Sequence, residues 1–132
     1  MDAFIIELEN RPGMLAGLAE SIAGRGINIT AIAGAAARDS GAVAIITNDE
    51  AAARSVLDEI GVTYRPSALV SAGLEDKPGA LADAARRLAD AGVNVEALIA
   101  TGSQGGKITI AFAVDDPDAA RTALGELAGA AV

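Results

Sequence analysis

The sequence predicts an α+β fold of two similar units, residues 1–66 and 67–132, each an antiparallel sheet carrying its helices on one face. Three observations predict it. First, residues 12–28 (PGMLAGLAESIAGRGIN) align with residues 78–94 (PGALADAARRLADAGVN) at an offset of 66 without a gap. Eight of the seventeen pairs are identical: Pro12/Pro78, Gly13/Gly79, Leu15/Leu81, Ala16/Ala82, Ala19/Ala85, Ala23/Ala89, Gly26/Gly92 and Asn28/Asn94. An offset of half the chain is the signature of a duplicated module. Second, the apolar period switches in the same order around both copies: strand, helix, strand, strand, helix. That order is the split βαβ arrangement of ferredoxin-like domains. Third, 52% of the residues are apolar but only 2% aromatic, so a core of Ala, Ile, Leu and Val is available. Units of this size bury little surface alone and are expected to pack against each other.

Residues 2–9 (DAFIIELE) alternate as a strand, with Phe4, Ile6 and Leu8 on one face. Asn10, Arg11, Pro12 and Gly13 break it. Pro12 suits the first turn of a helix, where its missing N–H is not needed. Leu15, Leu18 and Ile22, with Ala19 and Ala23 between them, form one helical stripe that Gly24 or Gly26 ends. Residues 27–36 read as a second strand, with Ile27, Ile29 and Ala31 on one side. Asp39, Ser40 and Gly41 signal a turn, and residues 42–47 a third strand. Asn48 or Asp49 caps a second helix with the stripe Ala53, Val56, Leu57 and Ile60, stopped by Gly61. Residues 62–65 are a short fourth strand, and Pro66 marks the boundary.

The second unit follows suit. Residues 68–74 are a strand, Glu75 to Gly79 the break, and residues 80–91 a helix with Leu81, Ala84, Ala85 and Leu88 inward. Strands at 93–100 and 107–114 flank a hairpin loop at 102–106, and residues 116–128 are the last helix. A full fourth strand is missing from this unit, since the sequence stops at Val132. That leaves residues 68–74 as an expected bare edge. Strand alternation further places Ile5, Ile32, Val43, Ile45, Leu69 and Leu98 on the sheet face away from the helices.

Composition removes several functions. The net charge of −8 repels phosphate backbones, and Tyr64 is the sole Tyr or Trp available for base stacking, so nucleic-acid and anionic-membrane binding are not expected. With no Cys and no His, disulfides, thiol catalysis, Cys/His zinc sites and imidazole chemistry are excluded. No metal or other cofactor is expected. The N-terminus lacks signal-peptide character and no apolar run approaches about 20 residues, so a cytoplasmic protein is expected.

The residues best placed for chemistry are the paired strand-to-helix turns. The first N–H groups of a helix lack partners, and the helix dipole favours an anion beside them. Gly13 and Gly79 have no Cβ, so a carboxylate can approach the backbone. Asn10 can donate or accept beside it. Asp76 can only accept, which suits an ammonium group. A carboxylate and an ammonium on one carbon describe an α-amino acid. Alternatively, Asn10 and Asp76 satisfy turn or cap hydrogen bonds of their own loops. Other candidates are weaker. Residues 102–106 are glycine-rich but precede a strand and lack the Gly-Lys-Ser/Thr of a phosphate loop. Asp115, Asp116 and Asp118 read as helix-start acids rather than a cation site, Arg86 and Arg87 as a solvated face, and Asp58 and Glu59 as exposed acids without a pocket.

The stretches LENRPGMLAGLAESIAGRGINITAI and LEDKPGALADAARRLADAGVNVEAL both resemble the opening of ACT domains. The shared pattern is an Asn/Asp-x-Pro-Gly turn, an apolar helix, and Gly-aliphatic-Asn-aliphatic at the start of the second strand. The resemblance implies a tandem ACT protein without a catalytic domain. It also implies an amino acid or similar effector held between one domain's turn and its partner's second strand. One site would combine Asn10, Arg11, Pro12, Gly13, Met14 and Leu15 with Asn94 and Val95. The other would combine Asp76, Lys77, Pro78, Gly79, Ala80 and Leu81 with Asn28 and Ile29. The expected function is that of a non-enzymatic amino-acid sensor, or of a regulatory subunit tuning a separate biosynthetic enzyme. A homodimer is expected, through the apolar sheet face or the bare edge.

Overall fold

Residues 1–129 are described in the computed structural model. Their elements run β1 (Asp2–Glu9), α1 (Met14–Ala23), β2 (Ile29–Ala37), β3 (Ser40–Thr47), α2 (Glu50–Ile60), β4 (Tyr64–Glu75), α3 (Ala80–Asp90), β5 (Val95–Gln104), β6 (Lys107–Val114) and α4 (Pro117–Leu124), then a short 3-10 turn, Gly125–Leu127. Contacts divide the chain into one unit of Asp2–Pro66 and another of Met1 with the residues from Ser67 onward. Residues 130–132 lie outside the described part.

In the first unit β3 lies between β2 and β1, antiparallel to both. Phe4 opposes Ile45 and Ile6 opposes Val43, and these side chains meet α1 and α2. The resulting core joins Phe4, Ile6, Leu18, Ile22, Ile27, Ile45, Ala53, Val56 and Leu57. Each fully buried Phe, Ile or Leu there contributes roughly 1.5–3 kcal/mol of transfer free energy. Phe4 carries the unit's aromatic contacts, edge-on to Tyr64 at 5.9 Å and beneath the Arg54 guanidinium at 5.7 Å. Glu7 donates its N–H to the Thr63 carbonyl at 2.9 Å, which lays the end of the unit beside β1.

In the second unit β6 lies between β4 and β5, again antiparallel to both. Val70 opposes Phe112 as Phe4 opposes Ile45. Val70, Leu74, Leu88, Val93, Phe112, Val114 and Leu124 form the core with Ala72, Ala84 and Ala120. The duplicated sheets differ by one residue. The offset is 66 from Phe4 to Val70 but 67 from Ile45 to Phe112. β2 shifts register between Ile29 and Ala31; β5 shifts at the matching place, between Val95 and Ala97, and again between Ala100 and Gly102, which absorbs the extra residue.

Those shifts correct the expected strand faces. An inserted residue moves every later side chain to the other face. Ile32 therefore opposes Ile45, and Leu98 opposes Phe112, on the helix side rather than away from it. Val43 and Ile45 also belong to the helix side, so the alternation of residues 42–47 runs opposite to the expected phase. Ala31 loses the expected side, since it opposes Ile46. Of the six residues placed on an open apolar face, Ile5 and Leu69 alone keep the expected side, and Leu69 is buried. The expected bare edge is also partly occupied. Ala72 bridges Ala128, Gly129 donates to the Ser71 carbonyl at 3.2 Å, and Leu69 donates to the Met1 carbonyl at 3.1 Å.

Smaller differences concern turns. The first hairpin turns at Arg38 and Asp39, with Arg38 at φ 61, not at residues 39–41. The second turns at Gly105 and Gly106, both with positive φ, as a two-residue hairpin of this twist requires. Residues 102–104, expected in the loop, extend β5. Leu15 and Leu81, expected inward, stand 52% and 48% exposed in the first turns of their helices.

Candidate functional site

The two glycine turns are built alike. Arg11 donates its N–H to the Glu9 carbonyl, and Lys77 donates to that of Glu75. Met14 donates to Arg11, and Ala80 to Lys77, each at 3.4 Å. Asn10 and Asp76 each donate a backbone N–H to the hairpin of their unit, at Asp39 and Gly106 respectively. Gly13 (φ 89, ψ −13) and Gly79 (φ 90, ψ −14) cap α1 and α3 in the left-handed region. That conformation costs a residue with a Cβ about 1–2 kcal/mol, and beyond the adjacent residues no atom of the described chain lies within 4 Å of where a Cβ would stand at either glycine. The space above both turns is open.

The four helix starts fall into two classes. α2 and α4 are capped by Asp49 and Asp116, whose carboxylates accept from Ala52 and Ala119 at 3.0 Å. α1 and α3 have no side-chain cap. Beyond the long 3.4 Å bonds of Met14 and Ala80, the N–H groups of their first turns are left for solvent or a ligand, with the positive end of the helix dipole behind them. Beside each turn sits one acid–base pair: Arg11 Nε to Glu9 Oε2 at 2.6 Å, and Lys77 Nζ to Glu75 Oε2 at 2.8 Å. Lys77 holds the Glu75 carboxyl below its usual range, and Glu75 raises the Lys77 ammonium in return.

Each turn borders a cleft in its own unit. In the first, a cleft of about 420 Å³ runs from Asn10, Arg11, Met14 and Leu15 to Ile32 and the small residues that follow it on β2. In the second, a cleft of about 540 Å³ brings Lys77, Pro78, Gly79 and Ala80 together with Glu75, Asp83, Lys107 and Glu126. The matching space beside α1 holds only about 260 Å³, lined by Met14 where α3 has Ala80 and by Gly17 where α3 has Asp83. Arg87 ties together two residues that line the second cleft, Asp83 and Glu126. Its guanidinium donates to the Leu124 carbonyl and to Glu126 Oε1, both at 3.0 Å, and lies 3.2 Å from Asp83 Oδ2. The pairing holds Glu126 below, and Arg87 above, their usual ranges.

The sequence-predicted residues are not all gathered. Asn10, Arg11, Met14 and Leu15 share the first cleft, whereas Pro12 and Gly13 stand exposed above it. Lys77, Pro78, Gly79 and Ala80 share the second, whereas Asp76 and Leu81 are exposed outside its lining. Asn10 spends one side-chain N–H on the Arg38 carbonyl at 2.7 Å, a turn-fixing role. Asn28 and Asn94 are exposed at the mouths of β2 and β5, and Ile29 and Val95 pack onto their own cores. Asn28 donates its N–H to Asn48 Oδ1 while its carbonyl accepts from the Asn48 N–H; Asn94 and Asp115 repeat the exchange. Asn48 and Asp115 thus latch β2 to β3 and β5 to β6, a role not legible in the sequence motif alone. The signal for it is a doublet: Asn48-Asp49 and Asp115-Asp116 both precede a helix, one residue capping and its neighbour latching. The three acids at α4 are all engaged in this way, Asp118 by Arg121 at 3.1 Å. Among the described residues no cluster of three metal-ligating side chains occurs, and no helix is long and apolar enough to cross a membrane.

Comparison with known proteins defines the class. The model of the ACT domain family matches residues 3–62 and again 68–131, so the chain belongs to the ACT domain family, whose members are regulatory ligand-binding domains. Three solved structures are similar to it. Protein BT0572 from Bacteroides thetaiotaomicron superposes with a TM-score of 0.75 at 25% identity over 95% of this chain and 86% of that one. The ligand-free regulatory subunit of aspartate kinase from Thermus thermophilus gives 0.67 at 20% identity, over 96% and 92%. Aspartokinase alpha and beta subunits give 0.66 at 17% identity, over 96% and 90%. The last two likenesses concern the fold. No curated protein matches the sequence.

Proposed function

We propose that this chain is a regulatory module without catalytic activity that senses an amino acid at its two glycine turns. The observation that carries the reading is the division of helix starts. Asp49 and Asp116 cap α2 and α4, whereas Gly13 and Gly79 leave α1 and α3 uncapped in the two places where ACT repeats duplicate their turn. Uncapped N–H groups at the positive end of a dipole suit a carboxylate. The ammonium would be taken by Asn10 Oδ1 in the first turn and by the Asp76 carboxylate in the second. Arg11, Pro12, Met14 and Leu15, and Lys77, Pro78, Ala80 and Leu81, would shape the two sites. Asn28, Ile29, Asn94 and Val95 would contribute through the strand mouths they form. A thermal-shift screen of the twenty amino acids tests the reading. A ligand at 100 times its Kd adds about 2.7 kcal/mol of stability. A screen without any stabilising amino acid would refute it.

A second reading is a subunit that tunes a separate biosynthetic enzyme. It is favoured by the match over nearly the full length of a protein described as a regulatory subunit of aspartate kinase. Affinity purification with a tagged chain separates the two, because a stoichiometric enzyme partner supports the subunit. We also infer a homodimer, now through the backbone edges of β2 and β5 instead of an open sheet face. These are the outer strands of their units, and unpaired strand edges recruit partners. Sedimentation giving a 13.1 kDa monomer at micromolar concentration would refute it.

A further inference from the structure

We infer that the first repeat selects an amino acid with an apolar side chain. The inference deepens the effector reading above and rests on it. The cleft beside Asn10 is walled by Leu8, Met14 and Leu15 on one side and by Ile32, Ala33 and Val43 on the other. Leu15 and Ile32 are 52% and 47% exposed, although both are large and apolar and face the same space from α1 and β2. A bound aliphatic side chain would cover both, and covering apolar surface is favourable in proportion to its area. A Cβ on Gly34 would stand 2.8 Å from Val43 Cγ1, so the β2 wall lies close against β3 at that point.

The charged groups of the cleft are already engaged. Glu9 and Arg11 pair with each other, and Asn10 is tied to Arg38. A charged ligand side chain would be desolvated against alanine, valine and isoleucine without a counter-ion, which is unfavourable. The second repeat differs at the turn itself, where Asp76 and Ala80 stand in place of Asn10 and Met14, and its cleft lies elsewhere on the unit, against Asp83, Lys107 and Glu126. The two copies therefore need not share an effector.

The test is calorimetric titration with leucine, valine and methionine against aspartate, lysine and serine. It uses the unmodified chain and three variants: Leu15→Ser, Ile32→Ser and Leu98→Ser, the counterpart of Ile32 in the second repeat. All three positions are exposed, at 46–52%, so the fold should tolerate each change. The expected result is that aliphatic amino acids bind, that Leu15→Ser and Ile32→Ser weaken them by about tenfold or more, and that Leu98→Ser leaves them unchanged. The inference is overturned if the amino acid whose binding responds to Leu15→Ser and Ile32→Ser is charged, or if aliphatic binding ignores both. It is also overturned if these two variants alter the oligomeric state and not the affinity, since the patch would then be an interface between copies. A charged effector would leave the broader sensor reading standing; no binding by leucine, valine or methionine would overturn the inference, and an empty screen of all twenty amino acids would remove both.

Discussion

Replacing Gly13 by Ala separates the backbone role of the turn from its ligand role. Gly13 sits at φ 89, and beyond its two neighbours in the chain no atom of the described residues lies within 4 Å of the place a Cβ would take, so the added methyl group has open space. The stability cost is then the left-handed backbone alone, about 1–2 kcal/mol. For a domain of this size each kcal/mol lowers Tm by roughly 2–8 °C. Gly26 supplies the control. It has φ 71 and equally open space in the same unit, but it follows α1 and does not precede it. Gly26→Ala should therefore lose comparable stability and leave effector affinity intact. Gly13→Ala should lose affinity beyond its stability loss, because its methyl group projects into the space above the uncapped N–H groups. Paired thermal melts and calorimetry read both quantities. Equal affinity in the two variants would show that Gly13 serves the turn and nothing else.

Asp76→Ala should weaken effector binding by roughly 1.5–3 kcal/mol, the range of hydrogen bonds to charged groups. Asn10→Ala should cost less affinity, since a neutral side chain carries its hydrogen bond, and should also lower the melt, because Asn10 Nδ2 anchors the hairpin at Arg38. Calorimetry and melting on both variants check the division. Asp49→Ala and Asp116→Ala each lose a helix cap, so each should cost about 0.5–2 kcal/mol in denaturant titration with effector affinity unchanged. The Arg87 cluster sets a pH prediction. Glu126 is held below its ordinary value in the folded chain, so its contribution is present above the ordinary carboxylate range and is lost as pH falls through the folded value. Comparing acid melts of the parent chain and Glu126→Gln should show a shallower acid limb in the variant. Both should converge at high salt, because the pair is exposed.

The fold is legible in the sequence where chemistry is local. Pro12-Gly13 and Pro78-Gly79 announce the two uncapped helices, and the acids at Asp49 and Asp116 announce the two capped ones, because caps and turns depend on a few neighbouring residues. Strand faces are legible only until the first irregularity. Ile29 and Ile32 are three apart, an odd spacing that alternation assigns to opposite faces, yet the shift between Ile29 and Ala31 puts both on the helix side. Nothing in ITAIAGAAA marks that shift, since β-bulges need no special residue when the neighbours are small. The site is legible as a turn and not as a cleft. Gly13 and Gly79 can be named from their repeat, but the wall at Ile32, and the Asp83, Arg87 and Glu126 cluster, join residues far apart in sequence. Arg87 and Glu126 meet only because α3 and the 3-10 turn after α4 come together.

The measurement that bears most directly on the central claim is a backbone amide NMR titration with the amino acid that emerges from the stability screen. Saturable shifts at Gly13, Met14, Leu15 and Ala16, at Gly79, Ala80, Leu81 and Ala82, or at both sets are the predicted result. Larger shifts at the capped starts of α2 and α4 than at these turns, or no saturable shift in either turn, would contradict it.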